Sequence, residues 1–358
     1  MLQSYIRSAL RHLKRYRLYS IINILGLAVG FTAFILIMVY VSHELSFDKF
    51  HNDAAYVYKV NLEFGDNPED LRPVPTTPNA LYPEFKRQFP EVIEGTRYFN
   101  PSSFRPPVVQ RGDRSFFESG FAYADSTFFE VFSFPLVAGD RSTALTKPNS
   151  IILTIEAAQK YFGIEDPMGK ELLIYNEPWV VTGIMENVPD NSHIDFTMLG
   201  SFSTHRASRN EVWSQANYFT YLKVNSLAAA DDLKPKIDDL IMQVGYNSPE
   251  EGFYVNVVLV PLTDIYLHSE ADALSDANYI YIFTIIAILI ILIATVNYMN
   301  LATARSSSRA REVGVRKVSG ALRSHLFGQF IIEAIVIVLL SLVLSYILSY
   351  VLLPPFNN

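Results

Sequence analysis

Few residues in this sequence have the types and the spacing that catalysis requires. Its seven histidines are scattered, and none stands in a recognised metal-binding spacing. The segment from Gly163 to Lys170 has the glycines and lysine of a phosphate-binding loop, but five residues separate its glycines and Glu171 stands where that loop has Ser or Thr. We interpret it as a turn that leads into a strand. The chain also lacks cysteine, which excludes a thiol nucleophile. We therefore predict a protein that is not an enzyme and holds no metal or cofactor of its own.

The clearest functional signal is a basic segment between two long apolar runs. The runs, residues 279–304 and 326–353, each exceed the roughly 20 apolar residues that cross a bilayer, where a spanning segment must be helical. Residues 305–323 are predicted to form a cytoplasmic loop, because Arg and Lys are retained on the inside. The centre of this loop also contains apolar residues and one acid: Arg309, Arg311, Glu312, Val313, Gly314, Val315, Arg316 and Lys317.

This mixture of apolar and charged residues predicts a docking helix rather than a topology signal alone. Val313, Val315 and Val318 can form the apolar side of a short amphipathic helix, with breaks at Gly314 and Gly320. Such a helix suits a groove on another protein. We predict that the loop receives force or a signal from a cytoplasmic partner.

A third apolar run, residues 20–43, predicts an uncleaved membrane anchor, since it is longer than the apolar part of a signal peptide and has no cleavage pattern. Within it, Gly26 and Gly30 have the spacing that lets a second helix approach closely; the alternative is chance, because glycine is common in membrane helices. Residues 1–18 predict a basic amphipathic helix on the cytoplasmic membrane surface, with a disordered basic tail as the alternative.

One ionisable residue, Glu333, falls inside the apolar run 326–353. An acid in a membrane helix is by default a functional hypothesis. Because Glu333 is only about two turns from Leu326, we favour a position in the headgroup region, paired with Arg316 or Arg323.

The charges divide the chain into basic ends and an acidic middle. Residues 1–19 carry five basic residues and no acid, whereas residues 44–277 carry 18 basic residues and 34 of the 36 acids. This distribution predicts that residues 44–277 are exported as a domain while the N-terminus stays inside. An acidic domain of this size argues against nucleic acid as a partner.

The exported domain repeats the order strand, helix, strand near its two ends. Two such units can pair into a single α+β sheet. The first is predicted over 56–64, 79–89 and 92–99, with Asn79 as the helix N-cap, and the second over 218–224, 228–244 and 253–260. Residues 101–212 would then form an inserted lobe, with short strands at 116–123, 150–154, 171–175 and 179–185.

Several stretches along the chain resemble the MacB/FtsX-like permease family of ABC transporters. The most specific is residues 309–320 (RAREVGVRKVSG), because membrane spans flank it. The others are residues 22–30 (INILGLAVG), 43–50 (HELSFDKF), 128–135 (FFEVFSFP), 148–154 (PNSIILT), 160–163 (KYFG) and 181–189 (VTGIMENVP).

The resemblance implies a fold and a partner. The fold would be a membrane protein of the α+β class: three transmembrane helices, with a large extracytoplasmic mixed α/β domain of two βαβ units plus an inserted lobe between the first two. A coupling helix within residues 308–320 would bind a separate cytoplasmic ABC ATPase, which holds ATP and Mg²⁺. Family members have at least four spans, so the resemblance implies that this chain is the N-terminal part of a longer permease.

The resulting hypothesis is a permease subunit of the bacterial inner membrane that transmits ATP-driven motion to its periplasmic domain. Its expected partners are the ATPase, membrane lipid, a second permease unit and a periplasmic adaptor or effector. The alternative is a membrane-anchored sensor that binds a ligand outside and signals through the basic loop. The 19 residues of that loop leave little room for an output module.

Overall fold

The computed structural model describes residues 5, 7, 11, 13–271, 276–304, 313–315, 318 and 323–356. The chain divides into two units. We call residues 46–276 the sheet unit, and residues 1–45 together with 277–358 the helical unit.

The described helices are α1 (Arg17–Glu44), α2 (Leu81–Gln88), α3 (Phe128–Val131), α4 (Ile155–Phe162), α5 (Ala228–Gln243), α6 (Ile265–His268), α7 (Ala277–Ala304) and α8 (Arg323–Phe356). The described strands are β1 (Val57–Gly65), β2 (Arg72–Val74), β3 (Thr77–Pro78), β4 (Val92–Phe99), β5 (Val108–Arg111), β6 (Arg114–Phe117), β7 (Phe121–Ala124), β8 (Leu136–Gly139), β9 (Ser150–Thr154), β10 (Glu171–Ile174), β11 (Glu177–Met185), β12 (Met198–Ser201), β13 (Ala216–Val224) and β14 (Tyr254–Pro261).

The helical unit is built around α1, which packs against both α7 and α8. By length and composition, Arg17–Glu44, Ala277–Ala304 and Phe327–Leu353 can each cross a membrane. Leu27, Ala294 and Ile337, one from each helix, form the buried apolar core of this unit. The amphipathic helix predicted over residues 1–18 lies mostly outside the described residues.

The two predicted βαβ units form one antiparallel sheet in the order β14-β1-β13-β4. β1, α2 and β4 make the first unit, and β13, α5 and β14 make the second. Because each neighbouring pair is antiparallel, β1 runs parallel to β4 and β13 parallel to β14, with one strand between the members of each pair. This is the split βαβ arrangement. The prediction that the two units share one α+β sheet is confirmed.

Apolar residues on alternate positions of the strands explain where α2 and α5 pack. Val60 and Leu62 of β1 are fully buried in one cluster with Phe85 of α2 and with Leu233 and Ile237 of α5. The spacing of the two α5 residues places them on one helix face. Burial of one such side chain stabilises the fold by about 1.5–3 kcal/mol, so this cluster fixes both helices on the sheet.

The inserted segment continues the same sheet. β7 joins β4 through the pairs Tyr98↔Ala124 and Phe99↔Tyr123, and the order continues β7-β12-β9-β11-β10-β5-β6. The prediction of a single strand over 116–123 is wrong, because β6 ends at Phe117 and β7 begins only at Phe121. The break contains Gly120, which lies so near Thr197 that an added Cβ would be 2.5 Å from the Thr197 hydroxyl.

Two turns in the inserted segment follow from backbone conformation. The strand predicted over 171–175 ends one residue early, because Tyr175 and Asn176 have φ values of 54° and 63° and form the two-residue turn between β10 and β11. The turn predicted from Gly163 to Lys170 is confirmed, since it connects α4 to β10.

A mostly buried ion pair joins the inserted segment to the βαβ sheet. Arg97 of β4 donates from Nε and Nη2 to the two carboxylate oxygens of Asp125, which follows β7, at 2.9 and 2.7 Å. The two side chains are 11% and 14% exposed. Arg97 Nη1 also donates to the carbonyl of Asn79 at 2.8 Å. The predicted N-cap role of Asn79 is wrong, because its Oδ1 accepts from the backbone N–H of Val212 at 2.8 Å and Ala80 is the N-cap residue of α2. The Asn79 amide donates to the carbonyls of Ala207 and Asn210.

Candidate functional site

Part of the predicted coupling segment is visible. Residues 313–315 and Val318 are helical, so Gly314 lies within a helical turn and does not break it. The side chains of Val315 and Val318 are 65% and 91% exposed. The predicted contact residues Arg309, Arg311, Glu312, Arg316 and Lys317 lie outside the described residues. The segment therefore presents apolar side chains at its surface.

Gly26 and Gly30 lie on the face of α1 that meets α7. A Cβ added to Gly30 would lie 2.7 Å from the Cβ of Ala294, closer than side chains pack, and one added to Gly26 would lie 3.4 Å from the amide of Asn297. Small residues at these positions therefore set how closely the two helices approach.

Another part of α1 meets α8 through polar and small residues. The Thr32 hydroxyl lies 2.7 Å from the carbonyl of Ala28 and 3.5 Å from that of Ser345 in α8. Glu333 is also buried in α8, at 4% exposure. The side chains of its predicted partners, Arg316 and Arg323, lie outside those that the structure describes.

We expect Gly30→Ala to weaken the α1–α7 contact, because the new methyl group overlaps Ala294. The cost should be about 1–3 kcal/mol, as for other overpacked sites. Gly328→Ala in α8 is the matched control, since a Cβ there meets no atom within 4 Å. Thermal unfolding of the detergent-solubilised chain measures both. Equal midpoints for the two variants would show that Gly30 does not limit the approach of the helices.

The chain enters the core of the sheet unit directly after α1. Asp48, only four residues beyond the end of α1, is fully buried and has the left-handed φ of 57° that Asp tolerates. Its backbone N–H donates to the carbonyl of Asn191 at 2.9 Å. The amide of Asn191 in turn donates to the carbonyl and hydroxyl of Ser46 at 3.2 and 3.0 Å. These bonds fix the segment to the loop before β12.

One histidine binds the Asp48 carboxylate, and a second lies in the same segment as Asp48. Nδ1 of His193 lies 2.8 Å from Asp48 Oδ1, and the backbone N–H of His193 donates to the same oxygen at 3.2 Å. The other ring nitrogen of His193 shares a 2.9 Å hydrogen bond with the Tyr221 hydroxyl on β13. His51 is also buried, and its Nδ1 accepts from the backbone N–H of Ser133 at 3.0 Å. We call Asp48, His51, Asn191 and His193 the junction clamp.

An aromatic stack joins the clamp to the segment that leads into α7. The rings of Phe47 and Tyr266 are stacked, with centroids 3.3 Å apart and planes 10° from parallel. Tyr266 lies in α6, eleven residues before α7 begins in the sequence. The segment that leaves α1 and the segment that precedes α7 are therefore held together inside the sheet unit.

Sequence reasoning did not find the clamp, because its residues are far apart along the chain. His51 and His193 belong to no local metal or catalytic spacing. A partial signal was present: residues 43–50, one of the stretches that carry the family resemblance, contain Asp48.

A cavity of about 660 Å³ adjoins the clamp, with His193 and Tyr221 in its wall. This volume is within the roughly 300–1,000 Å³ of small-molecule sites. Lys59 and Lys160 also line it; Lys160 pairs with Glu118, and the Lys59 ammonium lies 4.7 Å from the centroid of the Phe219 ring. The wall thus combines aromatic rings with charged side chains, among them the Lys160–Glu118 ion pair.

An α+β domain carried between the first and second of three membrane-spanning helices places this chain among multi-pass membrane proteins with a large domain outside the bilayer. Residues 20–240 match the model of the MacB-like periplasmic core domain, and residues 284–358 match that of the FtsX-like permease C-terminal. The chain belongs to the MacB/FtsX-like ABC transporter permeases, a family of the bacterial inner membrane, and the predicted family is confirmed.

Two curated relatives and one solved structure illustrate the similarity. The pyoverdine export ATP-binding/permease protein PvdT of Pseudomonas syringae pv. syringae is 22% identical over 218 residues, 60% of this chain and 32% of that protein. The macrolide export ATP-binding/permease protein MacB of Nitrobacter winogradskyi is 26% identical over 200 residues, 53% of this chain and 28% of that protein. The chain thus spans about a third of the length of the curated relatives it matches. A permease domain from Porphyromonas gingivalis shares the fold, with a TM-score of 0.50 and 20% identity over 59% of this chain and 91% of that chain.

Proposed function

We propose that this chain is the permease subunit of a MacB/FtsX-type ABC transporter and that it transmits motion to its periplasmic sheet unit. A separate cytoplasmic ATPase binds ATP and Mg²⁺ and supplies the motion. The N-terminus and residues 305–323 lie in the cytoplasm in this arrangement. A second permease unit and a periplasmic adaptor or effector complete the assembly.

The observation that carries this proposal is that the segment directly after α1 is bonded into the core of the sheet unit. α1 ends at Glu44, and Asp48 is already buried and bonded to the loop that contains Asn191. A flexible linker would absorb a displacement of the helix, whereas a segment bound to a packed core passes it on. The Phe47–Tyr266 stack holds the segment before α7 against the segment that follows α1.

In this proposal, motion from the ATPase enters the chain at two exposed valines. Val315 and Val318 present apolar surface in the segment that follows α7. In the proposal these side chains dock into a groove of the ATPase, and α7 and α8 carry its movement to α1, which packs against both.

A second candidate function is favoured by the cavity. A pocket of about 660 Å³ with aromatic and polar walls is suited to a small ligand, as the sensor alternative requires. In that reading, ligand binding outside would move the same clamp, and the basic loop would contact a signalling protein instead of an ATPase.

Purification of the tagged chain from native membranes distinguishes the two candidates. The transporter proposal expects an ABC ATPase to copurify and the chain to raise its rate of ATP hydrolysis. Recovery of a kinase or another signalling protein, with no ATPase, would instead support the sensor.

A further inference from the structure

The junction clamp contains a titratable group that the fold keeps neutral. His51 is 3% exposed and is packed among Phe50, Phe132 and Phe134, with ring centroids 4.1, 5.2 and 5.0 Å away. Since its Nδ1 accepts a hydrogen bond from Ser133, the neutral ring carries its proton on Nε2. That N–H is buried and has no hydrogen-bond partner among the described residues.

The groups that face His51 compensate a positive charge there only in part. Asp48 on the same segment is the anion nearby, but its Oδ1 already faces His193 on the loop before β12. Its Oδ2 is buried without a hydrogen-bond partner in the part of the chain that the structure describes. The turn after α3 also packs against His51, through the backbone N–H of Ser133 and the rings of Phe132 and Phe134, none of which carries a charge. The Tyr221 hydroxyl is hydrogen-bonded to the ring of His193. Lys59 on β1 pairs with Tyr221 in the sheet register.

We propose that the junction clamp is an acid-sensitive connection, closed near neutral pH and released as the periplasm acidifies, with His51 as the group whose protonation opens it. Opening would detach residues 46–56 from the rest of the sheet unit and so uncouple that unit from α1. The proposal rests on the proposed function for its consequence, because release matters only if the clamp carries motion.

The direction of the pH dependence follows from the burial of His51. Burial, opposed in part by Asp48 and reinforced by His193, lowers the pKa of His51 from 6.5 to about 4. In the open segment the ring is exposed and returns to its ordinary pKa, so the open state binds the proton more tightly. The opening equilibrium should therefore increase by up to about tenfold for each pH unit as the pH falls from 6.5 towards about 4.

Hydrogen exchange of the full-length chain in lipid nanodiscs, without any ATPase, tests this inference. Peptides that cover residues 46–56 are followed at pH 6.5 and 4.5, and their rates are corrected for the exchange of free amides. The parent should show an opening equilibrium roughly 40-fold larger at the lower pH. β9 should show no comparable change, which separates local opening from global unfolding.

Two variants test whether His51 is the group that causes the pH dependence. His51→Asn keeps an acceptor for the Ser133 N–H but cannot titrate, so its opening should be nearly independent of pH. His205→Asn removes a partly buried histidine of lowered pKa outside the clamp, and should leave the pH dependence of residues 46–56 intact. A pH-independent parent, or a pH dependence that persists in His51→Asn, would overturn the inference. Either result leaves the ATPase copurification test unaffected, because this experiment contains no ATPase.

Discussion

Asp125→Ala should lower the free energy of unfolding of the sheet unit by about 3–5 kcal/mol, because it leaves the Arg97 guanidinium mostly buried without its anion. The backbone N–H of Arg97 also loses its acceptor, since it donates to Asp125 Oδ2 at 2.7 Å. The Arg97 guanidinium lies 4.3 Å from the centroid of the Phe202 ring, and this packing limits its escape to water. Urea unfolding, followed by the fluorescence of the buried Trp179, measures the loss.

An exposed ion pair in the same unit provides the control. Arg87 and Glu211 lie 2.7 Å apart, but their side chains are 53% and 43% exposed. Glu211→Ala should therefore cost less than about 1 kcal/mol. If Asp125→Ala cost no more than Glu211→Ala, the pair of Arg97 and Asp125 would not be what joins the inserted segment to the βαβ sheet.

The combined change Val313→Asp and Val315→Asp should weaken binding of the ATPase by at least about 2 kcal/mol, or roughly 30-fold in affinity. A carboxylate carried into an apolar groove loses its water without gaining a partner. Val315 is 65% exposed in the chain itself, so its replacement should not disturb the fold. Pull-down of the ATPase and stimulated ATP hydrolysis measure the effect.

The charges of the same segment provide the matched variant. Arg316→Ala with Lys317→Ala should cost less than the valine changes and should reduce the dependence of binding on salt, as for charges at the rim of an interface. Membrane topology should survive both variants, because Arg305, Arg309, Arg311 and Arg323 are retained. A valine double variant that binds and stimulates like the parent would reduce the loop to a topology signal and favour the sensor.

Local patterns predicted the parts of the fold that local physics determines. Alternating apolar residues specify β1 and β13, and the Leu233 and Ile237 spacing specifies α5, so the split βαβ sheet followed from the sequence. The spacing of Gly26 and Gly30 indicated close approach of a second helix, but not that its partner would be α7.

Contacts between distant segments could not be predicted in this way. Asn79 has the residue type of an N-cap, yet it binds the carbonyls of Ala207 and Asn210, more than 100 residues away. His193 meets Asp48 only because the loop before β12 is bonded to the segment that follows α1. No local spacing encodes such a meeting.

We propose that ATP-driven motion reaches the sheet unit through the junction clamp. The most direct test of this claim is hydrogen exchange in residues 46–56 and 262–271 of the chain bound to its ATPase, at pH 7.5, in the nucleotide-free and the ATP-trapped states. We predict that exchange in both segments differs between the two states, and that the valine double variant abolishes the difference. Identical exchange in the two states, with the ATPase bound and active, would contradict the claim.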